Sequence, residues 1–214
     1  MSVHALLDHP SRRVARPGAR RPARREAPTR ASLIVDFLGV CELDPAVESL
    51  RAPAPAASFR VGTAEIEHIA DFEIVRDGAA TLVDVLTDAD LVDHPLRAAL
   101  VGGGATASDG REFTVETFAS LRAEPRFTTV RLIQACRRTF VSAGDRVRIL
   151  HHLDECGTAR LVEAASVAQN AADGVAAVLA LACEGLVSVD ISRPILPETP
   201  VKRRRLAFTD PFEF

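Results

Sequence analysis

Hydrophobic positions fall into three regimes along the chain. Residues 1–30 offer few apolar side chains and are broken by Pro10, Pro17, Pro22 and Pro28, which predicts a disordered arm. From Leu33 to Cys41 the chain is apolar almost throughout, which predicts a buried helix stopped at Asp44-Pro45. A Pro/Ala connector spans 52–57. Short candidate strands follow at Ser58–Val61 and Glu65–Ile69, then the alternating run 71–75. Asp77-Gly78 is a two-residue hairpin signal, and 81–86 is an apolar return strand fit for the middle of a sheet. Residues 89–101 read as helix, Gly102-Gly103-Gly104 and Asp109-Gly110 bracket a loop, and Glu112–Val115 reads as a strand. Helix, antiparallel strands, helix and strand make an α/β order that ends in a crossover. Beyond Pro125 the period turns helical at 127–139, 143–155, 158–167 and 171–184, before Gly185 and a strand at 186–191. Three short helices and a strand give the order of a winged helix-turn-helix.

Composition narrows the classes. The chain has 214 residues, 47% hydrophobic and 26% charged, as expected of a globular protein. No run approaches ~20 apolar residues, so no membrane span is expected. The start is arginine-rich and lacks an apolar core, so no secretory signal is read there, and a cytoplasmic location is expected. Cys41, Cys136, Cys156 and Cys183 are far apart with no CxxC, which suits buried reduced thiols.

Charge is uneven. Residues 1–30 carry eight Arg against Asp8 and Glu26, about +6, leaving −9 on the rest of a chain whose net charge is −3. Arg12, Arg13, Arg20, Arg21, Arg24 and Arg25 are the candidate DNA contacts, and Lys202-Arg203-Arg204-Arg205 forms a second basic run. A solubilising tail explains the same composition.

The chemistry centres on Asp71 and Asp84. An acid at the start of one hairpin strand and another inside the next is the core arrangement of PD-(D/E)XK nucleases. There, two carboxylates hold a divalent ion against the scissile phosphate, and a lysine two residues after the second acid faces the same way. The neighbouring words resemble the TnsA-like endonuclease subunits of heteromeric bacterial transposases. Phe37-Leu38 followed by Glu42-Leu43-Asp44-Pro45-Ala46-Val47 is similar to that family's "DFL…EFDP.V", and Ile69-Ala70-Asp71-Phe72 to "TPDF". Leu82-Val83-Asp84-Val85-Leu86 is similar to "LVEVK". Residues 113–117, 131–138 and 184–190 resemble the family's later segments. The resemblance covers residues 30–195.

This resemblance implies an α/β fold with a restriction-endonuclease-like (PD-(D/E)XK) core at 31–123. It implies a small winged-helix-like domain at 124–195, with a tail at 196–214. It also implies Mg²⁺ on Asp71 and Asp84, DNA as substrate, and a DDE-type transposase and a regulatory ATPase as partners. Yet the family's helix glutamate falls on Ile34 and its lysine on Leu86. Leu86 has neither charge nor donor, and the one lysine in the chain is Lys202. Arg60, Arg76 and His68 are the nearby substitutes, none at a matching position; Asp36 and Glu42 are poorly placed to replace the missing acid. The reading is therefore a transposition-associated protein with an impaired nuclease site that binds DNA and scaffolds partners. An active Mg²⁺-dependent endonuclease nicking transposon ends and a non-catalytic regulatory module are the alternatives.

Other candidates are weaker. His151 and His152 point about 100° apart on a helix, and His152 with Cys156 makes one i, i+4 pair. Gly102-Gly103-Gly104 lacks a phosphate-loop sequence, and Ser142 and Ser166 lie outside nucleophile motifs. The helix at 171–184, where a DNA-reading helix would fall, has no Lys or Arg, which favours protein contact over base readout. Arg131, Arg137, Arg138, Arg146 and Arg148 remain as phosphate candidates.

Overall fold

The computed structural model describes residues 28–101 and 105–204. α1 (Arg30–Leu43) starts at the Thr29 cap, whose hydroxyl accepts the Ser32 N–H at 3.3 Å, and stops at Asp44, ahead of Pro45. β1 (Val47–Arg51), β2 (Ala57–Val61), β3 (Ala64–His68), β4 (Phe72–Arg76) and β5 (Ala79–Val85) follow, then α2 (Asp88–Val92) and α3 (Arg97–Val101). β6 (Ala105–Thr106), β7 (Glu112–Glu116) and α4 (Phe118–Leu121) complete the first unit. The second runs through α5 (Arg126–Ala135), α6 (Ala143–Cys156), β8 (Ala159–Arg160), α7 (Leu161–Ser166), α8 (Gly174–Cys183), β9 (Val187–Val189) and β10 (Pro200–Arg203). The architecture is mixed α/β.

The main sheet has the order β1-β4-β5-β7-β6. β1, β4 and β5 are antiparallel neighbours, and β7 joins β5 in parallel after the α2–α3 crossover. The β4–β5 turn is the expected hairpin: Asp77 (φ 50°) and Gly78 (φ 77°) both take the left-handed conformation that a two-residue turn of this twist requires. Alternation along β5 sorts its side chains. Val83 and Val85 pack under α1 with Leu33, Phe37, Cys41, Phe72 and Ile74. Leu82 faces the other layer, where the β2–β3 hairpin and Leu96 close a core around Phe59 and Phe113.

α1 is not buried on every side. Val35 is 62% exposed and Leu38 39%, so the apolar run 33–41 includes an outward face. β1 lies where no strand was expected; four of its five residues are exposed, as suits a sheet edge, and its sequence carries no alternation to read.

The second unit packs around α8, whose residues 177–183 are all buried. Val40 and Leu43 of α1 belong to that same core, so α1 serves both units. Residues 196–214 were expected as a tail, but 200–203 form β10, the central strand of a β8-β10-β9 sheet, with Val201 fully buried. Arg204 extends this role: its guanidinium donates to the carbonyls of Glu42 (3.1 Å), Asp44 (3.3 Å) and Val47 (3.1 Å). A cation satisfying carbonyls at the C-terminal end of α1 is a helix cap.

Asp145 fastens the start of α6. Its fully buried carboxylate accepts from Ser142 Oγ (3.0 Å), Gln169 N–H (2.7 Å), Asn170 N–H (3.1 Å) and Arg148 (2.9 Å). Burial alone would push this carboxyl up; the Gln169, Ser142 and Asn170 donors and the Arg148 charge outweigh it and hold it below the ordinary carboxylate range. A lowered folded-state value contributes stability above the unfolded value, lost as pH falls through the folded one. The gap in urea stability between the native chain and Asp145→Asn is therefore widest at neutral pH and narrows below about pH 4. A gap constant from about pH 7 to pH 3 would contradict this.

Candidate functional site

Asp71 ends the segment before β4, and Asp84 stands one residue from the end of β5. Antiparallel pairing of Phe72 with Val83 sets the two acids side by side in the sequence register. Backbone hydrogen bonds link them: Asp71 N–H donates to Asp84 Oδ1 at 2.8 Å, and Val85 N–H donates to Asp71 Oδ2 at 2.9 Å.

Each carboxylate already has a cationic or donor partner from the chain itself. Arg30 Nη2 lies 2.6 Å from Asp71 Oδ1 and 2.7 Å from Oδ2, and Arg30 Nε donates to Val85 O at 3.0 Å. Arg30 is the first residue of α1, one turn before Ile34, so it occupies the helix end nearest the site. Ile34 itself packs into the core beneath α1. Asp84 Oδ2 meets His68 Nε2 at 2.7 Å and His94 Nε2 at 2.8 Å. Leu96 N–H donates to His94 Nδ1 at 3.2 Å, so the neutral His94 ring carries its proton on Nε2 and donates it to Asp84. The Asp84 side chain is 4% exposed. Burial would raise its carboxyl, but donation from His68, Asp71 N–H and His94 outweighs that and lowers it.

Mg²⁺ takes six oxygen ligands in a tight octahedron. Both oxygens of Asp71 face a guanidinium, and those of Asp84 are engaged by an amide and two imidazoles. Leu86, where the resemblance leads one to expect a lysine, is buried and apolar. The single lysine, Lys202, lies in β10 of the second unit. This donor set does not fit Mg²⁺.

Of Arg60, Arg76 and His68, it is His68 that reaches Asp84. Arg76 pairs with Asp44 at 3.0 Å, and Arg60 is exposed on β2. Asp36 is held by Arg122 at 2.7 Å, and Glu42 by Arg137. Two residues escaped sequence reasoning: Arg30, one turn off the expected helix position, and His94, which sits in a turn without a motif. The six candidate arginines of the arm, and Gly102-Gly103-Gly104, lie outside the described residues.

Of the remaining candidates, Arg131 and Arg138 are exposed, whereas the others have structural partners. Arg146 pairs with Glu184 and Arg148 with Asp145, and Arg203 pairs with Asp154. His151 lies 3.4 Å from Glu155, and His152 is 3.9 Å from Cys156 on an exposed helix face. Ser142 caps α6. The cysteines are free thiols, and burial pushes that of Cys41 up to about 12. A cleft of about 500 Å³ between Val40, Asp44, Arg126, Ser188 and Lys202 lies where the two units meet; neither Asp71 nor Asp84 lines it. Among the described residues, no helix is long and apolar enough to cross a membrane. No family model matches the chain, and no curated protein matches it.

Proposed function

We propose that this chain is a TnsA-like, transposition-associated protein in which a PD-(D/E)XK nuclease core has lost phosphodiester cleavage and retains DNA binding and partner scaffolding. The order helix, antiparallel hairpin, crossover and parallel strand supports the nuclease-like core, and the α6-β8-α7-α8-β9-β10 order supports a winged-helix-like second domain. The observation that carries the loss of catalysis is Arg30 on Asp71. A guanidinium takes the carboxylate that would hold a hard dication, and Leu86 supplies nothing to stabilise a transferring phosphoryl group. Loss of one such group costs on the order of 10²–10³ in rate.

DNA affinity then comes from charge outside the retired centre. α8 offers no groove-reading surface, because its residues 177–183 are buried and it holds no Lys or Arg. The arginine-rich arm is the phosphate-binding element, and the acidic body turns toward protein partners such as a DDE-type transposase and a regulatory ATPase. Duplex affinity of the full chain is accordingly the same in EDTA as in Mg²⁺, and is unaltered in Asp71→Asn. An Mg²⁺-dependent gain that Asp71→Asn abolishes would overturn the reading.

A further inference from the structure

We propose that His68, Asp84 and His94 form a binding site for a first-row transition dication of the zinc type. This site shares Asp84 with the Mg²⁺ pair expected on Asp71 and Asp84, but it uses two imidazoles in place of Asp71 and so differs in metal class. It ties three separate segments together: the end of β3, the middle of the main sheet, and the turn between α2 and α3.

The ligand atoms already converge. The three lie within 4.8 Å of one another, and both Nε2 atoms approach the same oxygen, at 2.7 and 2.8 Å. Zinc bonds of about 2.0–2.2 Å in a tetrahedron place ligand atoms about 3.3 Å apart. Each imidazole needs to retreat by only about 0.5 Å to open that centre. Oδ1 of Asp84 is held by the Asp71 N–H, which orients the carboxylate while leaving Oδ2 for the ion. Phe113 clamps both rings, stacked on His94 at 5.7 Å and edge-on to His68 at 5.6 Å.

The donor set decides the class. Two imidazoles with one carboxylate suit zinc, cobalt or iron, whereas Mg²⁺ and Ca²⁺ select all-oxygen shells. The His94 side chain is 5% exposed and that of His68 18%, so a fourth, solvent-derived ligand enters beside His68. Loading has an internal cost. His94 must give up its Nε2 proton to solvent and take one on Nδ1, which displaces the Leu96 N–H bond. A ligating histidine normally donates from its second nitrogen, and lack of that support lowers affinity by about 10–100-fold. The site therefore binds more weakly than one whose histidines are both supported, and its role is to pin the β2–β3 hairpin against the sheet.

The test uses the full chain, stripped with EDTA and titrated with Co²⁺ and then Zn²⁺. The expected result is one equivalent of Co²⁺ with visible absorption of a four- or five-coordinate ion. Zn²⁺ displaces it, and millimolar Mg²⁺ does not. The melting temperature rises with Zn²⁺, and both effects vanish in His68→Gln and His94→Gln but survive in Cys156→Ser. Should His94→Gln fail to fold, His68→Gln, at the more exposed ligand, decides alone. Absence of saturable binding, or binding unchanged in His68→Gln, overturns the proposal. DNA cleavage is not among the readouts, so the proposal and the reading of lost catalysis fail separately.

Discussion

Replacing Asp84 by alanine, with the metal chelated, lowers stability by about 3–5 kcal/mol, because it strands buried donors rather than because it removes one contact. Two imidazole N–H groups and the Asp71 N–H converge on this carboxylate, whose side chain is 4% exposed. Truncation leaves all three without their acceptor beside Phe59 and Phe113, where solvent reaches only the His68 side. Asparagine keeps one acceptor oxygen, so Asp84→Asn costs less, about 1–3 kcal/mol. Asp71→Ala is the control. Its carboxylate is 24% exposed and its partner Arg30 46%, so solvent takes over that pair, while the Val85 N–H loses its acceptor; the cost is about 1–2 kcal/mol. Urea denaturation of the three variants ranks them in that order. Equal costs for Asp84→Ala and Asp71→Ala would mean that the buried cluster contributes no more than a surface ion pair.

Removal of residues 1–27 produces the largest functional effect, a loss of duplex affinity on the order of 10²–10³-fold near physiological salt. That segment carries seven Arg against Asp8 and Glu26, a net +5. If each net charge neutralises one phosphate, the slope of log affinity against log salt becomes shallower by about 4–5. The deletion ends before Thr29 because Thr29 caps α1 and Arg30 holds Asp71; removing them would mix folding with binding. An unchanged salt slope would move the DNA contact elsewhere, toward Arg131 or Arg138 on the second unit.

Much of this fold was legible where local chemistry and tertiary packing agree. Asp77-Gly78 announces its turn because few other pairs tolerate two left-handed residues, and 81–86 announces a central strand because both its faces are covered. β1 left no trace because an edge strand with one covered residue has no period to detect. β10 was hidden for a different reason: Pro200 and the basic run look like a tail, and the strand is specified by partners far away in sequence, at 187–189 and 159–160.

The site was half legible on the same grounds. Asp71 and Asp84 are fixed by hairpin register, which the sequence spells out. Their partners are not local. Arg30 reaches Asp71 across 41 residues, and His94 reaches Asp84 from a turn anchored by the buried Leu96. An apolar residue at 86 marked a departure from the resembled motif, but nothing in one dimension revealed that Arg30, His68 and His94 engage the two carboxylates.

Cleavage is the most direct test. Supercoiled plasmid is incubated with the full chain in Mg²⁺ or Mn²⁺, beside Asp71→Ala and Asp84→Ala. The native chain is expected to nick no more than the two variants do. Nicking that requires both Asp71 and Asp84 would contradict it.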